Sequence, residues 1–153
     1  MSTLTRILAD LNGSQLTAED VEDAKRRAIR WLSYSAALNA QDAPAWQVLR
    51  AEVKRTRLVM RRALKNSGPE ATMGAMRQHD QAQGAYMAAL RFEGEKAADV
   101  ARSQGWDHAN YTDAYGGDLD ATPEVPARFA HVADAYRTAY AEGVEAFQDR
   151  DDS

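Results

Sequence analysis

Cysteine is absent from the 153 residues. That excludes disulfide scaffolds, thiol nucleophiles and cysteine-ligated zinc. Large apolar side chains are scarce: Leu, Ile, Val and Phe together number 24, a level that accompanies disorder when net charge is high. Net charge here is only -4, and alanine, the best helix former, supplies 30 residues. The composition therefore points to an ordered, alanine-rich helical protein with a thin core. A thin core offsets less chain entropy, so a partner or a second copy would add stability. No apolar run reaches the roughly 18 residues of a membrane span. Arg6 and Asp10 interrupt the first thirteen residues, so no signal peptide is read and the expected location is the cytoplasm.

Helical periodicity runs through most of the chain, and alternation of the strand type is lacking. A short helix over 2–12 carries Leu4, Ile7, Leu8 and Leu11 and ends at Asn12-Gly13. A second begins at Thr17, with Asp20 three residues on as in a capping box. Its stripe Val21, Ala24, Ala28, Trp31, Ser35 and Leu38 runs to about residue 40. Asp42 and Pro44 start a third helix, which Asn66-Ser67-Gly68-Pro69 stops. Its apolar residues Trp46, Leu49, Val53, Met60, Ala63 and Leu64 share an arc of about 100°. These two helices predict a long hairpin over about 17–66, with Trp31 and Trp46 packed in it.

Residues 69–104 are helical in composition but poorly periodic. Gly74, Gly84 and Gly94 predict a kink or two helices, 70–82 and 84–104. An irregular acidic and aromatic loop is expected over 106–125, with at most a short helix near 107–115. A long C-terminal amphipathic helix follows, with Phe129, Val132, Ala133, Tyr136, Tyr140, Val144 and Phe147 on one face, and a tail over 149–153 frays. The expected fold is all-α: a single domain over 1–153 built as a bundle of five or six helices.

Charge is unevenly spread. Residues 1–66 carry 12 Lys/Arg and 7 Asp/Glu, whereas 67–153 carry 7 and 16. A weakly acidic total thus conceals a basic and an acidic half. Arg50, Lys54, Arg57, Arg61 and Lys65 form one stripe on the third helix, and Arg55 and Arg62 a second, opposed within that helix only by Glu52. Close cations repel by a few tenths of a kcal/mol per pair, so an external anion would relieve them. Arginine favours bidentate grip on carboxylate or phosphate. On the preceding helix, Glu22 stands four before Arg26 and Asp23 four before Arg27, spacings that predict self-neutralisation.

Chemistry finds little support. None of His79, His108 and His131 has a helical metal-binding partner, and His79 and His131 read as surface residues. Glu93 and Glu95 point to different sides of a helix and cannot share a proton. Asp107, His108, Asp113, Asp118 and Asp120 would be the place for a hard cation, but the EF-hand spacing fails. No phosphate loop or nucleophile elbow occurs. The expected protein is not an enzyme and takes no metal or cofactor. It is a regulatory or inhibitory adaptor whose basic stripe meets an acidic protein surface, with Trp106, Tyr111 and Tyr115 as an aromatic patch. Nucleic-acid binding by the same stripe and a self-assembling structural subunit are the alternatives. A helix-turn-helix is not indicated, because the two long helices leave no compact recognition unit.

Overall fold

The computed structural model describes residues 17–40, 45–119 and 123–150. Among these the fold is all-α, with four α-helices and one 3-10 helix: α1 (Ala18–Ala40), α2 (Trp46–Asn66), α3 (Pro69–Tyr115), the 3-10 helix (Ala127–Val132) and α4 (Ala133–Asp149). The expected count of five or six is not reached among them. One reason is that the middle segment, expected to break, is a single helix of 47 residues. The expected 2–12 helix, the Asp42 and Pro44 start of α2 and the end of the tail lie outside the described residues. No described helix is long and apolar enough to cross a membrane.

The local signals at the helix ends behave as their chemistry dictates. The Asp20 backbone N–H donates to Thr17 Oγ1 at 3.2 Å, and the Thr17 N–H donates to Asp20 Oδ2 at 3.1 Å. That is a reciprocal cap, with Asp in the place of the usual Glu. At the end of α2 the Ser67 N–H donates to the Ala63 carbonyl at 2.9 Å. The Thr72 hydroxyl, one turn into α3, donates to that same carbonyl at 3.1 Å. At the end of α3 the Gly116 N–H returns to the Thr112 carbonyl at 2.8 Å. Gly116 and Gly117 then take φ of 82° and 140°, a region open to glycine without a Cβ clash.

The chain divides into two compact units, Met1–Ala89 and Leu90–Ser153, where the sequence suggests one domain. In the first unit α1 and the early part of α3 run in the same direction. Arg26 meets Asp80, and Arg30 and Tyr34 meet Gly84. α2 opposes α3, since Thr56 meets His79 and Ala63 meets Thr72. The result is three helices running up, down and up, which makes α1 and α2 the antiparallel pair that the hairpin pattern predicts.

Within this unit α3 has two neighbours and buries two rows. Ala75 and His79 lie on one, and Asp80, Gly84 and Ala88 on the other. The mean directions of the two rows stand about 160° apart around the helix, which erases any single stripe and explains the weak periodicity. Gly84 is no interruption. A Cβ there would stand 2.3 Å from the Arg30 carbonyl oxygen, so the glycine admits the α1 backbone.

In the second unit α3 and α4 run the same way. Arg102 meets Glu142, Trp106 meets Phe147 and Asp113 meets Arg150. Ala97, Ala101, Gly105 and Ala109 form a buried row of spacing four along α3. Ala97 and Ala101 pack with Phe129, Tyr136 and Ala139. A Cβ on Gly105 would stand 2.2 Å from the Tyr140 carbonyl oxygen, and one on Gly143 would stand 2.1 Å from that of Arg102. Two glycines, one per helix, thus let the backbones touch, and alanines fill the remaining seam. The scarcity of large aliphatics is met by bringing helices closer together.

Two further expectations change. The irregular segment after Gly105 begins only past Tyr115, because α3 continues through the aromatic residues. The C-terminal helix starts as a 3-10 helix and becomes α only at Ala133. A 3-10 turn rotates successive residues more than an α turn does. His131, outward on an α wheel, is therefore turned inward, with 13% of its side chain exposed and Nε2 3.5 Å from Glu93 Oε1.

Candidate functional site

The strongest concentration of unanswered charge lies on the outward side of α2. The helix buries Val53, Thr56 and Ala63. All seven cations from Arg50 to Lys65 are exposed, and on a helical projection they occupy an arc of about 160° opposite the buried side. Arg55 pairs within the helix, its Nε 3.0 Å from Glu52 Oε2, and this hydrogen bond holds the Glu52 carboxyl below its usual range. Among the described residues no ion pair reaches Arg50, Lys54, Arg57, Arg61, Arg62 or Lys65. The two stripes read from the sequence form one face.

That face is not purely cationic. Leu58 stands near the middle of the basic arc and is 54% exposed. Leu64 adjoins the arc at one edge, and Val48 and Val59 adjoin it at the other, all three exposed as well. Leu64 was expected on the buried side. It falls at the margin of that arc, and α2 fills the space with Thr56 instead.

The aromatic candidates separate. Tyr111 and Tyr115, one turn apart on α3, have ring centroids 4.9 Å apart and are 62% and 77% exposed. Trp106 points to another side of the helix and meets Phe147 edge-on at 5.2 Å. It serves the packing of α3 on α4 and does not join the tyrosines. Asp107, His108 and Asp113, expected in a loop, are on α3. His108 Nδ1 and the Tyr140 hydroxyl form a hydrogen bond, and burial raises the Tyr140 pKa above its ordinary value. Asp120 lies outside the described residues, and among those described no group of three acidic or histidine side chains gathers around a common centre.

Sequence reasoning missed a buried polar cluster in the first unit. Asp80 is fully buried. Arg26 grips it with Nε at 2.9 Å and Nη2 at 3.3 Å, and Arg30 Nε stands 3.7 Å away. Glu22 instead pairs with Lys25 at 3.3 Å, so the expected Glu22–Arg26 neutralisation does not form. The Asp23–Arg27 pair does. His79, expected at the surface, is 3% exposed, and its Nδ1 lies 3.0 Å from the Thr56 hydroxyl. Burial lowers its pKa, with Arg57, Arg26 and Arg30 adding to the effect and Asp80 opposing it. The Thr56–His79 distance would suit a nucleophile and its base, but both groups are sealed from solvent, and the pair joins α2 to α3. A polar run such as Gln78 to Asp80 inside an alanine-rich helix is the one sequence signal that could have exposed this cluster.

The chain matches no known protein family, no curated protein and no solved structure.

Proposed function

We propose that this protein is a non-enzymatic binding module, a small regulatory or inhibitory adaptor that recognises an acidic protein surface through the outward face of α2. The observation that carries the reading is Leu58, half exposed in the middle of cations that, Arg55 apart, have no ion pair among the described residues. Phosphates have no use for a leucine. A protein partner that alternates carboxylates with apolar side chains engages both, as an amphipathic helix laid along a groove or helix does. Interfaces of this type place an apolar contact at the centre and charge around it.

A labelled peptide of Glu and Leu in helical register, titrated by fluorescence anisotropy, provides the test. The double variant Arg57→Glu, Arg61→Glu is expected to weaken binding by about a hundredfold, and Leu58→Ala by about tenfold. All three positions are exposed, so far-UV circular dichroism should stay unchanged. Tight, steeply salt-dependent binding of duplex DNA that ignores Leu58→Ala would overturn the reading in favour of nucleic acid.

A further inference from the structure

An open cleft of about 470 Å³ lies in the first unit, lined by Arg27, Arg30, Trp31 and Tyr34 of α1 and by Met87 of α3. Its volume falls within the range of small-molecule sites, roughly 300–1,000 Å³. The Trp31 and Tyr34 rings are tilted against each other with centroids 5.7 Å apart. Trp31 is 52% and Met87 53% exposed, so two soft, polarisable surfaces face solvent on different helices. A planar ring gains most from such walls.

The charge around the cleft does not balance. Arg27 is matched by Asp23. Asp80, in contrast, has two arginines to answer with one negative charge, and its hydrogen bonds go to Arg26. Arg30 is left with the longer 3.7 Å approach, and its Nε, buried at the atom, makes no hydrogen bond. From Gln81 to Ala89, α3 supplies no carboxylate. A guanidinium offers five donors in a planar fork; Arg30 Nε faces Asp80, and among the described residues no hydrogen bond engages the other four, which at the edge of a cleft call for an oxyanion.

We propose that this cleft binds a small planar aromatic molecule bearing a carboxylate or phosphate, with the ring between Trp31 and Met87 and the anion on Arg30. The site lies on α1 and α3 and is independent of the α2 face. Nuclear magnetic resonance of the Trp31 indole N–H, assigned by its loss in Trp31→Phe, provides the readout. The probes are adenosine monophosphate, indole-3-acetate, neutral adenosine and inorganic phosphate.

At least one aromatic anion should shift Trp31 with a dissociation constant below about 1 mM, and adenosine and phosphate should bind at least about tenfold more weakly. Which aromatic anion binds more tightly decides between phosphate and carboxylate. Arg30→Gln should weaken the aromatic anion by about tenfold and leave adenosine unaffected, whereas Trp31→Leu, read from the broadening of the ligand's own proton signals because the indole is gone, should weaken both. Arg26 continues to hold Asp80 in Arg30→Gln, and Trp31 is exposed, so Trp31→Leu reports even if Arg30→Gln fails to fold. Trp31 unmoved by both anions at about 10 mM, or an affinity indifferent to Trp31→Leu, would overturn the proposal.

Discussion

Asp80 and Gly105 sit on the same helix, and each meets a neighbouring one, yet they solve the contact by opposite means. At Asp80 a buried carboxylate gathers two arginines from α1, and next to it His79 reaches Thr56 of α2. At Gly105 the side chain is missing altogether, and the α4 backbone comes in against α3. The first contact is directional: it demands particular partners and fixes which residues of three helices face one another. The second is steric, and depends on the absence of atoms. A chain poor in large apolar residues uses both, because neither requires leucine or isoleucine. A hydrogen-bonded buried carboxylate ties particular residues together even where its desolvation offsets its stabilising effect, whereas close-packed glycine and alanine gain dispersion contacts along the seam.

The sharpest way to break this contrast is Asp80→Ala. Removing the carboxylate strands two guanidinium groups, and breaking a buried pair costs about 3–5 kcal/mol. Because both arginines keep some exposure, a loss near about 3 kcal/mol in urea denaturation is expected. A loss under about 1 kcal/mol would mean that the cluster is not the clamp described.

On the steric side, Gly143→Ala places a methyl group 2.1 Å from the Arg102 carbonyl oxygen. Backbone must move, and a destabilisation of about 2–3 kcal/mol is expected. Gly74→Ala is the internal comparison, since nothing lies within 4 Å of its Cβ. There helix propensity acts alone and should raise stability by up to about 1 kcal/mol. Opposite signs for the same chemical change would confirm that tertiary approach decides the difference. Equal signs would refute it.

The smallest effect concerns His79. Its folded pKa lies below the ordinary 6.5 because burial disfavours the charged ring. Between the lowered value and 6.5 the unfolded chain binds the proton that the folded chain refuses. The contribution is therefore complete above pH 6.5 and shrinks as the pH falls below it. Arg57, Arg26 and Arg30 push in the same direction as burial, and Asp80 pushes against it. Stability measured as the pH falls from about 7 to 5 should decline in the native protein and decline less in His79→Gln. Identical slopes would assign the decline to other groups.

Much of this was legible in the residues, at the level of local chemistry. Thr17 and Asp20 announce a cap, Asn66 to Pro69 announce a stop, and Phe129, Tyr136 and Phe147 announce a buried face. The basic arc of α2 was legible as well, since helical spacing alone puts those cations side by side. The glycines of α3 were not. Taken singly, Gly84 and Gly105 weaken a helix, and only the neighbouring carbonyls show why the helix keeps them. The aromatic patch was half legible: spacing of four pairs Tyr111 with Tyr115, but Phe147 takes Trp106 away.

By itself the sequence determined the helical class, the helix termini within reach of a few residues, and which side of α2 carries charge. These depend on contacts no more than about four positions apart. Only the tertiary structure decided that α3 is unbroken, that Asp80 and His79 are inside, and that Arg30 is left with an unsatisfied donor beside a cleft. Each of those turns on an atom brought from far along the chain, such as the 54 positions between Arg26 and Asp80, and helical spacing holds no record of that distance.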